Sequence, residues 1–267
     1  MSINHVDRFK AKIRSGGLCV GTSVTFADPA ISELFGDAGY DFTWIDLEHC
    51  PIGIEAALAH VMAVRGTGAA PFIRVPAGDP VTLKPILELH PAAVIVPQVR
   101  SAAEVKAAVE ACKYPPVGVR GFGPRRGRGF GGIPYPHYLK DADEQILVFA
   151  QIEHVDAVRD LDAILATDGL DGLCLGFNDL AGSMGLPGQV DHPDVIAAAE
   201  DTVRRTRQSE KWMGISMGYE KEAVRRWVGL GVQWISLGTD FSSLYQQSKG
   251  VLDEVRAWAP GPAGEDA

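Results

Sequence analysis

Charged and hydrogen-bonding side chains in this sequence gather where apolar runs end. Asp46, Glu48 and His49 follow directly on Phe42-Thr43-Trp44-Ile45. Arg74 closes "FIR", Gln151 and Glu153 close "FAQIE", and Asn178 and Asp179 follow "CLGF". A lone buried charge is costly and needs a partner or a metal, so these endings are expected to meet. Glu153 and Asp179 make an oxygen-rich pair, which suits Mg²⁺, Mn²⁺ or Co²⁺ better than a structural zinc. Two protein ligands leave room for water and a chelating substrate. A 2-oxo acid chelates through its carboxylate and keto oxygen, and a Lewis-acidic cation stabilises the enolate formed on proton loss. Arg74 adds positive charge beside that oxygen. Histidine carries protons near neutral pH, which gives His49 the role of proton carrier. Each carboxylate also has a plainer reading, as the cap of a following helix; it is the convergence that speaks for chemistry.

These endings need elements that bring them to one rim. Short apolar runs occupy residues 18–24, 42–45, 71–75, 92–96, 146–152, 172–175, 212–216 and 233–237. Runs such as "AAVIVP" and "DGLCLG" are apolar at successive positions, as strands covered on both faces are. Helical patterns lie between them. "DPAISELFGDAG" opens with Asp28-Pro29 and ends near Gly36 or Gly39. "SAAEVKAAVEACKY" opens with Ser101 and Glu104, a capping box. "HPDVIAAAEDTVRRTRQSEK" carries acids early and bases late, which suits the helix dipole. This succession predicts an α/β chain folded as a (β/α)8 TIM barrel, with a doubly wound open sheet as the alternative. The barrel reading takes 1–258 as a single domain that begins with an N-terminal helix. The stretch 259–267, rich in Pro, Gly and acid, reads as a disordered tail. Strand C-termini of a barrel surround one mouth, which places the polar endings together.

The longest break, residues 114–145, is rich in Gly and Arg. It reads either as a plain surface loop or as a lid or subunit contact over an anionic site. The net charge of −9 argues against a nucleic-acid or anionic-membrane partner. No apolar run reaches the roughly 18 residues a membrane span needs. "MSINHVDRFKAKIRSGG" reads as an amphipathic helix without the apolar stretch of a secretory signal. Cys19, Cys50, Cys112 and Cys174 form no CxxC pair, so a reduced, cytoplasmic protein with unpaired thiols is expected.

Competing motifs fail on their own requirements. "GISMG" matches a nucleophile elbow, but that motif needs a later histidine and the last one is His192. A Schiff-base lysine would have to sit inside the barrel, whereas Lys211 only precedes the seventh run. His60, His90 and His137 read as structural or surface residues, and His154 as a cap or packing residue.

"WIDLEHCP", "FIRVPAGDP", "VIVPQV", "YPPVGVRG", "AQIE", "GFNDLAGSMG" and "HPDV", in that order, resemble the HpcH/HpaI family of metal-dependent (class II) pyruvate aldolases, over residues 17–245. The resemblance implies reversible cleavage of a small 4-hydroxy-2-oxo acid into pyruvate or hydroxypyruvate and an aldehyde. By position, it implies Glu153 and Asp179 as metal ligands and Arg74 as the group steadying the enolate. His49 falls on a base acting through a metal-bound water, and Asp46 and Glu48 on acids holding such waters. Gln151 lies at the same site, and the backbone at Asn178 and Asp179 matches amides that hold the pyruvate carboxylate. An acid from a neighbouring subunit pairs with the histidine in the family, and here that position is Glu88. The resemblance also implies a homotrimer or homohexamer that exchanges a C-terminal helix, about 241–258. Two departures stand out. Pro85 removes a backbone donor from the helix carrying Glu88 and is a candidate kink. His90-Pro91 stands where relatives often have glycine, which predicts a differently shaped mouth between subunits. The alternatives are a lyase of CoA thioesters using Arg125, Arg126 and Arg128, an oxaloacetate decarboxylase, and a non-catalytic metabolite-binding barrel. Arg74 together with His49 argues against the last.

Overall fold

The computed structural model describes residues 3–258, so the expected tail at 259–267 lies outside the described residues. Helix α1 (Val6–Arg14) leads into β1 (Cys19–Val24), α2 (Ala30–Asp37), β2 (Phe42–Asp46), α3 (Ile54–Ala63) and β3 (Ala70–Arg74). Then come α4 (Pro80–Glu88), β4 (Ala93–Val96), α5 (Ala102–Cys112), the short α6 (Tyr135–Leu139) and β5 (Leu147–Ile152). The last third holds α7 (Val155–Arg159), α8 (Leu161–Leu165), β6 (Gly172–Gly176), α9 (Phe177–Ser183) and α10 (Pro193–Arg207). It ends with β7 (Trp212–Met217), α11 (Lys221–Gly229), β8 (Trp234–Thr239) and α12 (Asp240–Trp258). The strands are parallel and close in chain order, β8 pairing back onto β1. The (β/α)8 expectation holds and the open sheet does not.

Alternation along the strands decides what meets the site. Phe42 and Trp44 of β2, Ala70 and Phe72 of β3, and Leu147 and Phe149 of β5 share one buried cluster. Ile45, Ile73, Val148 and Ile152 belong to another, together with helix residues such as Leu83 and Val105. A side-chain period of two therefore sends one set into the barrel and the other out to the helix layer. Continued to the strand ends, the inward set becomes Asp46, Arg74 and Gln151. At the other end α1 closes the barrel. Its Phe9 stands edge-on to Phe72 at 4.9 Å and to Phe42 at 6.0 Å. Gly214 leaves room for this filling, because a Cβ there would lie 1.9 Å from the Trp234 indole.

Helix starts follow their signals. Asp28 accepts from the Ala30 N–H and Ser101 from the Glu104 N–H, while Glu104 reaches back to Arg100 rather than to Ser101 itself. Helix α4 continues through Pro85 to Glu88, forgoing the bond that residue would make to the Val81 carbonyl. His90 holds φ +57 with its side chain buried, a conformation that favours glycine.

The break at 114–145 is anchored at a few buried residues, while 129–137 stay exposed. Tyr114, Tyr138 and Ala142 form a small core of their own. Arg120 lies over the Tyr114 ring at 4.5 Å and Arg128 over Tyr135 at 3.3 Å. Arg120 and Arg126 are buried and Arg128 is half-buried, so only Arg125 of the three arginines considered for a nucleotide is exposed. Helix α12 is the opposite case: of its residues only Asp240 is buried, while Phe241, Leu244, Tyr245, Val251 and Val255 are exposed. No described helix is long and apolar enough to cross a membrane, and all four cysteines are free.

Candidate active site

The site begins at the last residues of β2 and β3. Asp46 and Arg74 are register partners on these strands, so their inward side chains lie side by side. Asp46 Oδ1 accepts from Arg74 Nε at 3.0 Å and Oδ2 from Nη2 at 2.6 Å. Asp46 also accepts from the Glu48 N–H at 3.0 Å, which turns the chain away from the strand. Burial works to raise the Asp46 pKa, but the Arg74 bonds and charge outweigh it and hold the carboxyl below its usual value. Burial likewise works against the Arg74 charge, and Asp46 more than compensates. The guanidinium sits 5.5 Å from the Trp44 ring centre. Two of its five N–H donors are taken by Asp46, and the Nη1 side faces outward to Glu48.

Glu48 Oε2 lies 3.1 Å from Arg74 Nη1 and 3.5 Å from His49 Nε2, yet accepts no aligned hydrogen bond. Burial raises its pKa against the pull of Arg74 and His49, with Asp46 and Asp179 pushing the same way as burial. His49 stands at the edge with 60% of its side chain exposed. Cys50 Sγ approaches Asp46 Oδ2 at 3.5 Å, and burial pushes that thiol up to about 11.

Across the mouth, Glu153 follows β5 and is only 1% exposed. Its Oε1 accepts from the Gln98 N–H at 2.7 Å and its Oε2 from Gln151 Nε2 at 2.6 Å. Gly176 at the end of β6 makes the space, since a Cβ there would lie 2.4 Å from Oε2. Burial raises the Glu153 pKa to about 7, with the Gln98 N–H opposing and the charges of Glu48 and Asp179 adding to the rise. Asn178 and Asp179 are exposed in the first turn of α9, whose opening N–H groups have no partner inside the helix. Asp179 does not cap α9, which starts from Gly176 without a side-chain cap. A cavity of about 370 Å³ adjoins Asn178 and is lined also by Ser216, Tyr219, Arg226 and Trp227.

The donor set fits a divalent cation. Burial first, and then the like charges of Glu48 and Asp179, raise the proton affinity of Glu153, and the charges of Asp46 and Asp179 add to the rise that burial causes at Glu48; a divalent cation would offset both. Two buried oxygens, Glu48 Oε2 and Gln151 Oε1, have no hydrogen-bond donor. No group of three or more His, Cys, Asp or Glu among the described residues closes into a ready-made cage.

Within the chain, Asp46, Glu48, His49, Arg74, Gln151 and Glu153 come together, with Asp179 close enough to act electrostatically. Glu88 does not join them. It ends α4 and pairs with Arg120 Nη2 at 3.1 Å. Reasoning from sequence missed Gln98 and Gly176, which act through backbone and through a missing Cβ and carry no side-chain signature. The discarded candidates behave as expected. Lys211 Nζ donates to the Thr167 and Leu170 carbonyls, His60 Nδ1 pairs with Ser32, and His154 caps α7.

A family model described as HpcH/HpaI aldolase/citrate lyase matches residues 21–246. The chain is 35% identical to a hydroxypyruvate/pyruvate aldolase of Pseudomonas aeruginosa, covering 98% of this chain and 97% of the relative. It is 33% identical to a 4-hydroxy-2-oxo-heptane-1,7-dioate aldolase of Escherichia coli, covering 94% and 95%. A solved HpcH/HpaI aldolase from Desulfitobacterium hafniense superposes with a TM-score of 0.88 at 27% identity, covering 94% of this chain and 97% of that one.

Proposed function

The chain belongs to the HpcH/HpaI aldolase/citrate lyase family and is an enzyme of its aldolase type, and we propose that it cleaves a 4-hydroxy-2-oxo acid reversibly into pyruvate or hydroxypyruvate and an aldehyde. The observation that carries this reading is the pairing of an oriented, half-engaged Arg74 with a cation-deficient carboxylate cluster across one barrel mouth.

Members of the family depend on a divalent metal. Glu153 and Asp179 would hold it, and when bound it supplies Lewis-acid polarisation of the substrate's keto oxygen. Arg74, fixed by Asp46, turns its free N–H edge to the same oxygen as negative charge develops there. His49 takes the proton from the C4 hydroxyl, the C3–C4 bond breaks, its electron pair becomes the C2=C3 bond of the enolate, and the C2=O π pair moves onto the C2 oxygen. The aldehyde leaves, and C3 regains a proton to give the oxo acid. Glu48 beside His49 Nε2 steadies the imidazolium in between. First-turn N–H groups at Asn178 and Asp179 hold the substrate carboxylate. Gln151 fixes Glu153, and the cavity beside Asn178 offers space for the aldehyde portion.

The working enzyme in this reading is a homotrimer or homohexamer, with the apolar stripe of α12 covered by a second copy. Glu88, whose side chain is 27% exposed beside Arg120, would then meet His49 of a neighbouring copy. Four unpaired thiols support a cytoplasmic setting. A CoA ester is disfavoured, because Arg126 is buried and Arg128 is stacked on Tyr135.

Deuterium exchange into pyruvate with added Mn²⁺ tests the reading, since only an enzyme that forms the enolate accelerates it. No acceleration over buffer containing the same Mn²⁺ would refute it. A panel of aldehydes with pyruvate and with hydroxypyruvate then identifies the acceptor.

A further inference from the structure

Few non-glycine residues of the described chain hold a positive φ, and Gln98 is one of them, at φ +55. It follows Pro97 just beyond β4, on the strand next to Glu153's own. Its side chain is exposed, so packing of that side chain does not account for the conformation. The left-handed region is strained for a non-glycine residue, and such strain persists only where the surroundings determine it. What the turn achieves is a direction: the Gln98 N–H points into the mouth and donates to Glu153 Oε1 at 2.7 Å. A bond from a backbone N–H to a carboxylate is charge-assisted and offsets that strain. Gln151 Nε2 holds the other oxygen at 2.6 Å, and Gly176 leaves the carboxylate its space. Both oxygens are therefore fixed, with lone pairs left for a cation.

We propose that Gln98 is a positioning residue of the cation site, its left-handed backbone aiming the N–H that fixes Glu153. The role belongs to the backbone, and the exposed side chain is dispensable. This rests on Glu153 being a metal ligand, and the test separates the two ideas.

Gln98→Gly, Gln98→Ala and Gln98→Val are compared with the full wild-type chain after chelator treatment. Mn²⁺ dissociation constants are read from the electron paramagnetic resonance of free Mn²⁺, and Tm without metal is recorded alongside. Glycine takes a left-handed φ at no steric cost, alanine at some, and a β-branched residue at most. The expected order is Gly within twofold of wild type, Ala several-fold weaker, and Val weaker by about tenfold or more. A merely structural role would lower Tm and leave Mn²⁺ affinity unchanged. Affinities within twofold across the series overturn the proposal. So does equal weakening in Gly and Val, which would assign the role to the side chain. If Val does not fold, the Gly and Ala pair decides, and Ala binding as tightly as Gly overturns it. A wild-type chain that binds no Mn²⁺ overturns the metal-site reading, and this proposal with it.

Discussion

Asp46 and Arg74 face each other as register partners and hold together in two parallel hydrogen bonds, 3.0 and 2.6 Å long. The pair is a fork fitted to a carboxylate, a geometry that lysine cannot copy. Arg74→Lys keeps the charge and loses its orientation. Its kcat for oxo-acid cleavage, followed by reduction of the released pyruvate, is expected to fall about 100-fold or more. Asp46→Asn keeps one acceptor and should fall less. Equal rates in wild type and Arg74→Lys would remove the guanidinium from the reaction.

Glu153 and Asp179 should couple metal to stability. A ligand that binds only the folded state at 100 times its Kd adds about 2.7 kcal/mol. For a chain of this size that is a Tm rise of roughly 5–10 °C. Wild-type protein with saturating Mn²⁺ is expected to show it, and Glu153→Gln and Asp179→Asn to show little or none. Differential scanning fluorimetry decides. A full shift in both variants would place the cation elsewhere.

Much of this site could be read before the fold was seen, because strand ends in a parallel barrel are marked by apolar runs that stop at charged residues. Asp46, Arg74 and Glu153 belong to that kind. The buried anchors of the 114–145 segment could not be read, because stacking of Arg120 on Tyr114 and burial of Arg126 need tertiary neighbours. The same Gly- and Arg-rich composition suits an open loop equally well. Glu88 was named only through the family resemblance, and its bond to Arg120 spans 32 positions and leaves no local pattern. Pro85 marked a possible interruption, and α4 absorbs it with one bond lost.

His90 should make stability depend on pH. Burial first, then the charges of Arg120 and Arg126, depress its pKa to about 4 against a smaller opposing bond from Gln145. Unfolded, the imidazole titrates near 6.5. Between those values the unfolded chain binds a proton that the folded chain refuses, so stability is lost as pH falls from about 6.5 towards 4. The loss is on the order of 3 kcal/mol at full extent. Asn tolerates a left-handed φ, so His90→Asn removes the titration with little backbone cost. Its Tm should fall less between pH 7 and 4.5 than that of wild type. Superimposable pH curves would show that His90 is not the group responsible.

Phe9 tests whether stability and chemistry sit at opposite ends of the barrel. Its ring is 2% exposed and meets Phe42, Phe72, Phe149 and Trp212, all at the end away from Arg74 and Glu153. Phe9→Ala leaves a cavity beneath the strands and should destabilise by about 3–5 kcal/mol in urea. Conserved chemistry in barrels lies at the C-terminal mouth, while the opposite face serves stability. The folded fraction of Phe9→Ala, assayed well below its Tm with Mn²⁺ present, is therefore expected to keep kcat within about threefold. A drop as large as that of Arg74→Lys in protein shown by circular dichroism to be folded would mean that the α1 plug sets the geometry of the mouth as well as the stability of the barrel.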